Sequence, residues 1–316
     1  MKAAGKPFDP VHRTSLGKRI IQYKYMYFLL IPGIVYILIF KYLPMFGLQV
    51  AFRDYYPADG IMGFFNAEWI GLQNFQVLFR SQFGRQAIIN TINISLLKLV
   101  FAFPMPIILA LLINEAKGKR FKKMVQSITY LPHFFSWTIV SIILFELLSQ
   151  STGTLNIWLQ NSFGININFL SNEKTFVPML VLSDIWKEVG WGSIVYLAAL
   201  AGVDIDQYEA AIIDGATPLQ KLWYITLPGI LPTITVMLLL KIGNILDAGF
   251  EQIFLLYSPT VYNVADIIDT YVFREGINNM RYGLATAAGL FKSIIALILV
   301  LISNRLTKRF WQTSLF

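Results

Sequence analysis

Three polar side chains interrupt an apolar stretch of the sequence between residues 230 and 247. They are Lys241, Asn244 and Asp247. In a helix, offsets of three and six residues place side chains within about 120° of one face. A charge at the centre of an apolar span costs roughly 2.5–3.5 kcal/mol, so such residues are candidates for function by default. We therefore expect these three residues to line a polar cavity.

Other apolar stretches carry isolated polar residues. The further candidates for the same polar pathway are Asn93, Lys98 and Lys292. Taken singly, the lysines Lys98, Lys187 and Lys292 are explained as well by an interhelical pair or by snorkelling to the interface. The sequence leaves both interpretations open.

The elements that must position these residues are membrane helices. Hydrophobic residues make up 56% of the 316 residues, charged residues only 14%, and the mean hydropathy is +0.58. A soluble domain carries about 25% charged residues, so a cytosolic enzyme, a disordered chain and a nucleic-acid-binding protein are excluded. A helix needs about 20 apolar residues to cross a bilayer. Six stretches qualify, at about 26–46, 88–113, 127–148, 177–202, 230–247 and 284–303.

These runs are continuously apolar and lack the alternation of barrel strands, so they favour helices. The sequence predicts an all-α, polytopic membrane helical bundle with six transmembrane helices. The division is a basic N-terminal lead at 1–25, a six-span domain at 26–303 and a tail at 304–316.

The net charge of +8 is concentrated in three basic clusters. They lie in the lead, in the segment 117–123 and in the tail. Because basic residues accumulate on the cytoplasmic side of short loops, both termini are expected to be cytoplasmic. The loop 204–228 also falls on that side, yet it has four acids and Lys221 as its only base. A feature other than charge must explain this loop.

The sequence argues against several kinds of chemistry. It has no cysteine and two histidines, His12 and His133, so disulfides, a thiol nucleophile and a metal site are not expected. It also lacks the glycine-rich loop with Lys-Ser or Lys-Thr that cradles nucleotide phosphates. We expect the chain itself to bind no cofactor.

The acidic loop reads as two short helices. Asp206 can cap the first, with Glu209 at its third position as in a capping box. Gly215 suits the left-handed residue that ends a helix. The small side chains of Ala210 and Ala211 allow another backbone to approach closely.

Thr217 can cap the second helix, with Pro218 at its first position and Gln220 at its third. Pro228 would close this helix immediately before the fifth span. From local chemistry alone, an ordinary amphipathic connector explains the loop equally well.

The loop resembles the EAA loop of permease subunits in binding-protein-dependent ABC importers. The matching residues are Glu209-Ala210-Ala211, Gly215, Ile225 and Leu227-Pro228, and Asp214-Gly215-Ala216 has the form usual in the sugar-importing branch. Most of the chain is similar to the maltose-permease-like oligosaccharide permeases. Tyr257-Ser258-Pro259 stands where many of them have Gly-Gly-Pro, which favours an LplB-like subgroup.

The resemblance implies a non-catalytic permease in a bacterial inner membrane. It would form half of an oligosaccharide pathway with a second homologous permease subunit. Two cytoplasmic ATPase subunits would hold ATP and Mg, and an extracytoplasmic solute-binding protein would deliver the sugar. Membrane lipid would surround the chain, and no nucleic acid is involved. The coupling helix would comprise Glu209, Ala210, Ala211, Asp214, Gly215 and Ala216, with Ile225, Leu227 and Pro228 completing the motif.

A sugar pathway needs polar groups and flat aromatic faces. Trp191 is the aromatic candidate, with Trp186 and Tyr196 nearby. A charged oligosaccharide such as alginate would suit the basic residues Lys98, Lys241 and Lys292.

Two other classes of protein remain open. One is a membrane enzyme or an ion-driven secondary transporter, in which Asp184, Glu188 and Asp247 would relay protons. The sequence shows no inverted repeat of the kind many such transporters have. The other is a membrane receptor or scaffold, which would carry no substrate flux.

Overall fold

The computed structural model describes residues 23–311, except for the side chains of Ile61 and of residues 306–311. Within that range the secondary structure is helical, and the only β-type pairing is an isolated bridge between Arg53 and Trp69. The prediction of an all-α fold is confirmed. The predicted basic lead lies almost entirely outside the described residues, as does the end of the tail.

The chain divides into two compact units, residues 1–49 and residues 50–316. In the first unit, α1 (Lys24–Ile37) continues through a π-helical turn, Leu38–Tyr42, into the 3-10 segment Leu43–Phe52.

The second unit contains the remaining helices. They are α2 (Gly60–Asn66), α3 (Gln73–Arg80), α4 (Gln82–Leu97), α5 (Pro104–Glu115), α6 (Lys119–Tyr130), α7 (Trp137–Leu148), α8 (Thr154–Phe163), α9 (Glu173–Ala201), α10 (Ile205–Ile213), α11 (Pro218–Lys221), α12 (Leu227–Gly243), α13 (Phe250–Leu256), α14 (Tyr262–Ala265), α15 (Ile268–Phe273) and α16 (Tyr282–Trp311). Three π-helical turns join some of them, at Lys98–Ala102, Leu222–Thr226 and Arg274–Asn278. Short 3-10 segments lie at Pro57–Asp59, Leu131–Phe134 and Pro259–Val261.

Four continuous helices are long and apolar enough to cross a membrane. They are Lys24–Phe52, Gln82–Glu115, Pro218–Gly243 and Tyr282–Arg305. Two further pairs of helices are bent, and counting each pair as one span gives six. The positions agree with the six predicted stretches.

The third predicted span, 127–148, is not continuous. Lys119–Phe134 and Trp137–Leu148 meet at a bend of 103°. Pro132 lies in the 3-10 segment after α6 and cannot donate a helical hydrogen bond. Ser136 then caps α7 by accepting a hydrogen bond from the Ile139 N–H. The two ends of the predicted stretch therefore belong to helices of different direction.

The fifth predicted span, 230–247, ends early. α12 stops at Gly243, and the backbone turns at Asn244 and beyond. The Asn244 and Asp247 N–H groups bond three residues back, to the Lys241 and Asn244 carbonyls. The prediction that Lys241, Asn244 and Asp247 share one helical face is therefore wrong, because only the first belongs to the helix.

Three of the prolines within the spans follow π-helical turns. The residue before Pro44, Pro104 and Pro228 in each case donates its N–H five residues back: Leu43 to Leu38, Phe103 to Lys98 and Leu227 to Leu222. A wider turn relieves the clash between a proline ring and the carbonyl four residues before it. Pro228 was expected to end a second short helix, but the helix continues from Pro218 to Gly243.

α9 is the central helix of the second unit and packs against α5, α6 and α12. Gly190 permits the approach to α6, because a Cβ there would overlap the Thr129 carbonyl. One core cluster includes Phe176 and Leu180 of α9 with Ile253 of α13. This packing fixes the position of α9 within the second unit.

Candidate functional site

A cavity of about 500 Å³ opens between α5, α9 and α12. Its polar and aromatic lining consists of Phe103, Trp137, Asp184, Glu188, Trp191, Tyr196, Lys241 and Asn244. The structure thus brings together three of the predicted pathway residues, Lys241, Asn244 and Trp191.

The Asp184 carboxylate is paired with a buried lysine, Lys98. Lys98 Nζ lies 3.0 Å from Asp184 Oδ1 and donates a second bond of 2.7 Å to Gln252 Oε1. Gln252 in turn donates to the Leu180 carbonyl and to Ser183 Oγ. The side chain of Lys98 is only 6% exposed, so it is a structural partner of Asp184 and does not line the cavity. Sequence reasoning missed Gln252, since a lone glutamine carries no pattern.

The Glu188 carboxylate is also paired. It lies 2.8 Å from His133 Nδ1 and 3.1 Å from Lys187 Nζ, and Lys187 donates to the His133 carbonyl. The His133 ring stacks on Trp191, with ring centroids 4.6 Å apart and planes 2° from parallel. This network ties the break between α6 and α7 to α9 and fixes the plane of Trp191.

Lys241 differs from the other charged residues of the cavity. Asp184 and Glu188 both have cationic partners, whereas the exposed Lys241 has no hydrogen bond or ion pair with any residue that the structure describes. Asn244 donates to the Leu240 carbonyl at 3.2 Å. Lys241 is thus a cation whose charge is available to a ligand in the cavity.

The other predicted pathway residues lie elsewhere. Asn93 lines a second cavity of about 430 Å³ along α4, together with the amides Gln86, Asn90 and Asn263. Lys292 Nζ lies 2.7 Å from both carboxylate oxygens of Asp269. The exposed Asp247 accepts a bond from the Gly249 N–H.

The connection between α12 and α16 has its own ion pair, which the sequence did not indicate. Arg274 donates two hydrogen bonds, of 2.9 and 2.6 Å, to the buried carboxylate of Asp266. These bonds raise the pKa of Arg274 above its usual value. The Asn90 amide donates to the Asp266 carbonyl and joins this connection to α4.

The acidic loop begins with the short helix that its local sequence predicted, with one change at its start. The Asp204 side chain caps α10 by accepting from the Asp206 N–H at 3.1 Å. The predicted cap at Asp206 with Glu209 is therefore wrong, because the helix begins two residues earlier. α10 is inclined at 69° to α9.

The end of α10 agrees with the prediction. Gly215 has φ +74° and donates to the Ile212 carbonyl, while the Ala216 N–H bonds the Ala211 carbonyl. This is the Schellman arrangement, which needs a left-handed residue where the glycine lies. Thr217 and Gln220 then form the predicted capping box.

The segment exposes apolar side chains. Ile213 is 86% exposed, and Ile205, Ile212 and Leu219 are each at least 60% exposed. Glu209 and Ala210 are exposed beside them. Contiguous exposed apolar residues of this kind mark protein–protein or membrane interaction sites.

Taken together, a helical membrane fold, a polar and aromatic cavity and an exposed apolar segment at α10 are features of a membrane transport subunit. Residues 102–312 match the model of the family described as binding-protein-dependent transport system inner membrane component. The chain belongs to this family. It is therefore an inner-membrane permease component and not an enzyme, as the sequence predicted.

Individual relatives agree with this assignment. The chain is 47% identical over 293 residues to the protein LplB of Bacillus subtilis. The alignment covers 93% of this chain and 91% of LplB. It is 44% identical over 309 residues to the polygalacturonan/rhamnogalacturonan transport system permease protein YteP of the same species, covering 98% and 95%. These matches confirm the predicted LplB-like subgroup.

A solved structure shares the fold. A chain of a bacterial ABC transporter involved in the import of the acidic polysaccharide alginate superimposes with a TM-score of 0.88 at 45% identity, covering 94% of this chain and all of that one. A second structure of a bacterial alginate ABC transporter, bound to a periplasmic protein that carries an alginate pentasaccharide, also gives a TM-score of 0.88 at 44% identity, with 96% of this chain covered.

Proposed function

We propose that the chain forms half of the pathway of an ATP-driven importer for acidic oligosaccharides. The observation that carries this proposal is the cavity bounded by α5, α9 and α12, which combines aromatic faces with Lys241, a cation that has no partner among the described residues. Sugars present hydroxyl groups at their edges and apolar C–H faces. Asn244 can bond such hydroxyls, and the fixed ring of Trp191 offers a face for stacking.

The acidic nature of the substrate is supported by Lys241. A uronic acid carries one carboxylate per residue, and the Lys241 ammonium can bind such a group through a charge-assisted hydrogen bond. Two similar proteins point the same way, since polygalacturonan and alginate are both polymers of uronic acids.

The coupling role is assigned to the segment around α10. Glu209, Ala210, Ala211, Asp214, Gly215 and Ala216 would dock on a cytoplasmic ATPase subunit, and Ile225, Leu227 and Pro228 would pass its movement to the fifth span. ATP and Mg would be held by that ATPase. The exposed isoleucines at both ends of α10 support such docking.

The importer would need further partners. A second homologous permease subunit would complete the pathway, two ATPase subunits would bind below, and a binding protein would deliver the sugar from outside. In this arrangement the lead 1–25 and the tail 304–316 are cytoplasmic and flank the six-span domain at 26–303.

Uptake into proteoliposomes tests the function. The complex of both permeases and the ATPase, with its binding protein outside, is expected to import uronate oligosaccharides only when ATP is enclosed and the ATPase is active. Uptake that survives an inactive ATPase but stops when a proton gradient collapses would instead establish a secondary transporter. A complete lack of flux with an active ATPase would favour the scaffold.

A further inference from the structure

α10 is attached to the fifth span by few contacts. In the described part of the chain, a single side-chain hydrogen bond leads from α10 to another element, between Tyr208 Oη and Thr226 Oγ1 at 2.9 Å. The apolar residues Ile212 and Ile213 at the end of α10 are exposed. A movement imposed on α10 by a docked partner can therefore reach the rest of the chain through few contacts.

The direction of this hydrogen bond follows from the partners of Thr226. Its hydroxyl also lies 3.3 Å from the Lys221 carbonyl, which can only accept. A threonine has one O–H donor, so the Tyr208 O–H donates to Thr226 while Thr226 donates to Lys221. This chain of hydroxyls joins α10 both to the end of α11 and to the turn that follows it. Thr226 is only 3% exposed and Tyr208 is half-buried, so the bond is partly buried.

A second contact fixes the start of the segment. Val203 precedes α10, and its side chain lies where a Cβ on Gly229 would approach it to 2.9 Å. Thr226 and Gly229 are three residues apart and lie on neighbouring positions of the same helical face. The segment 203–213 thus contacts the fifth span at two adjacent positions. The contact at Gly229 is apolar, and the contact at Thr226 is a hydrogen bond.

The hydrogen bond from Tyr208 reaches the fifth span at its π-helical turn. Thr226 is the last residue of Leu222–Thr226, and Pro228 follows two residues later. π-turns often occur at functional sites and at kinks, because their wider ring departs from the regular hydrogen-bond ladder. A displacement of Thr226 therefore acts directly on the π-helical turn of the fifth span.

We propose that Tyr208 and Thr226 are positioning residues that transmit the movement of α10 to the fifth span. This inference rests on the proposed importer function. Neither residue belongs to the motif that indicated the family, and neither would contact the sugar. Removal of either hydroxyl is expected to lower the number of oligosaccharides imported per ATP hydrolysed, while docking of the ATPase is unchanged.

The test compares Tyr208→Phe and Thr226→Val with the unmodified chain in the full importer complex. Both substitutions keep the size of the side chain and remove one hydroxyl. The measurement is the number of oligosaccharides imported per ATP hydrolysed, with ATPase co-purification recorded alongside. Tyr208→Phe is expected to lower this ratio between roughly twofold and tenfold, which is the effect of one lost hydrogen bond. Thr226→Val also removes the bond to the Lys221 carbonyl and should lower the ratio at least as much. Because Tyr208 acts through the hydroxyl of Thr226, the double variant should lose no more than Thr226→Val alone.

Two controls accompany the test. Thr226→Ser retains the hydroxyl and should retain the ratio. Tyr224→Phe removes an exposed hydroxyl from the same turn and should also leave the ratio unchanged.

The proposal is overturned if both single variants keep the ratio of the unmodified chain, or if uptake falls only in proportion to lost ATPase co-purification. If the unmodified complex shows no ATP-dependent uptake, the importer function itself fails and this inference falls with it.

Discussion

Two lysines of the spans show how position decides the role of one residue type. Lys98 is buried and bonded to Asp184 and Gln252, whereas Lys241 is exposed in the cavity without a partner among the described residues. The sequence placed both in the pathway, because a lysine in an apolar stretch has the same signature in either setting. The distinction depends on Gln252, which is 154 residues away in the chain.

Lys98→Met is expected to destabilise the protein. It leaves the Asp184 carboxylate and the Gln252 carbonyl without their donor, and breaking a buried pair costs roughly 3–5 kcal/mol. Thermal unfolding in detergent measures the loss. Replacing both charges, as in Lys98→Met with Asp184→Leu, should recover part of it, because no uncompensated charge remains. Lys241→Met is the matched control and should stay within about 0.5 kcal/mol of the unmodified chain. Equal loss in the two single variants would contradict the assignment.

Lys241→Met is instead expected to change substrate preference. Removing a charge-assisted hydrogen bond should slow uptake of uronate oligosaccharides by roughly tenfold. Uptake of the same oligosaccharides after reduction of their carboxylates to alcohols should change little. Lys174→Met removes an exposed lysine at the start of α9 and serves as the control. An equal effect on charged and reduced sugars would show that Lys241 does not recognise the carboxylate.

At the scale of the element, local chemistry predicted some boundaries and missed others. Gly215 and Thr217 were identified correctly, because left-handed glycine and the capping box depend on neighbours in the sequence. The end of α12 at Gly243 and the break at Pro132 were missed. Hydropathy continues across both sites and therefore does not show where the backbone turns.

Gly215→Pro tests the rigid joint after α10. Proline cannot adopt φ +74° and lacks the N–H that bonds Ile212, so the Schellman arrangement is lost. Membrane insertion should remain normal while ATP-driven uptake falls at least tenfold. Gly164→Pro is matched to it, since Gly164 ends α8 at φ +69° and also donates one backbone bond, to Gln160. Similar uptake in the two variants, or normal uptake with normal ATPase co-purification in Gly215→Pro, would argue against a coupling role.

At the scale of the whole molecule, the orientation depends on whether the bent pair of α6 and α7 crosses the membrane. α7 has 12 residues, which span about 18 Å, whereas the hydrocarbon core is about 30 Å thick. α6 is amphipathic and basic, with Lys119 and Arg120 exposed, and its bend of 103° from α7 suits a helix lying along the cytoplasmic interface. A short span is accommodated by local thinning of the bilayer and by backbone packed within the protein. We therefore expect α7 to cross, which places α8 outside.

Cysteine labelling decides this orientation directly, because the natural sequence contains no cysteine. Ser162→Cys on α8 and Lys117→Cys before α6 both replace exposed residues. A membrane-impermeant maleimide should label Ser162→Cys in intact cells and Lys117→Cys only after the membrane is opened. If both react only after opening, the bent pair is a re-entrant loop. Every later element would then change sides, and α10 would face away from a cytoplasmic ATPase, which contradicts the coupling role. Labelling from opposite sides places the exposed face of α10 on the side where ATP is hydrolysed.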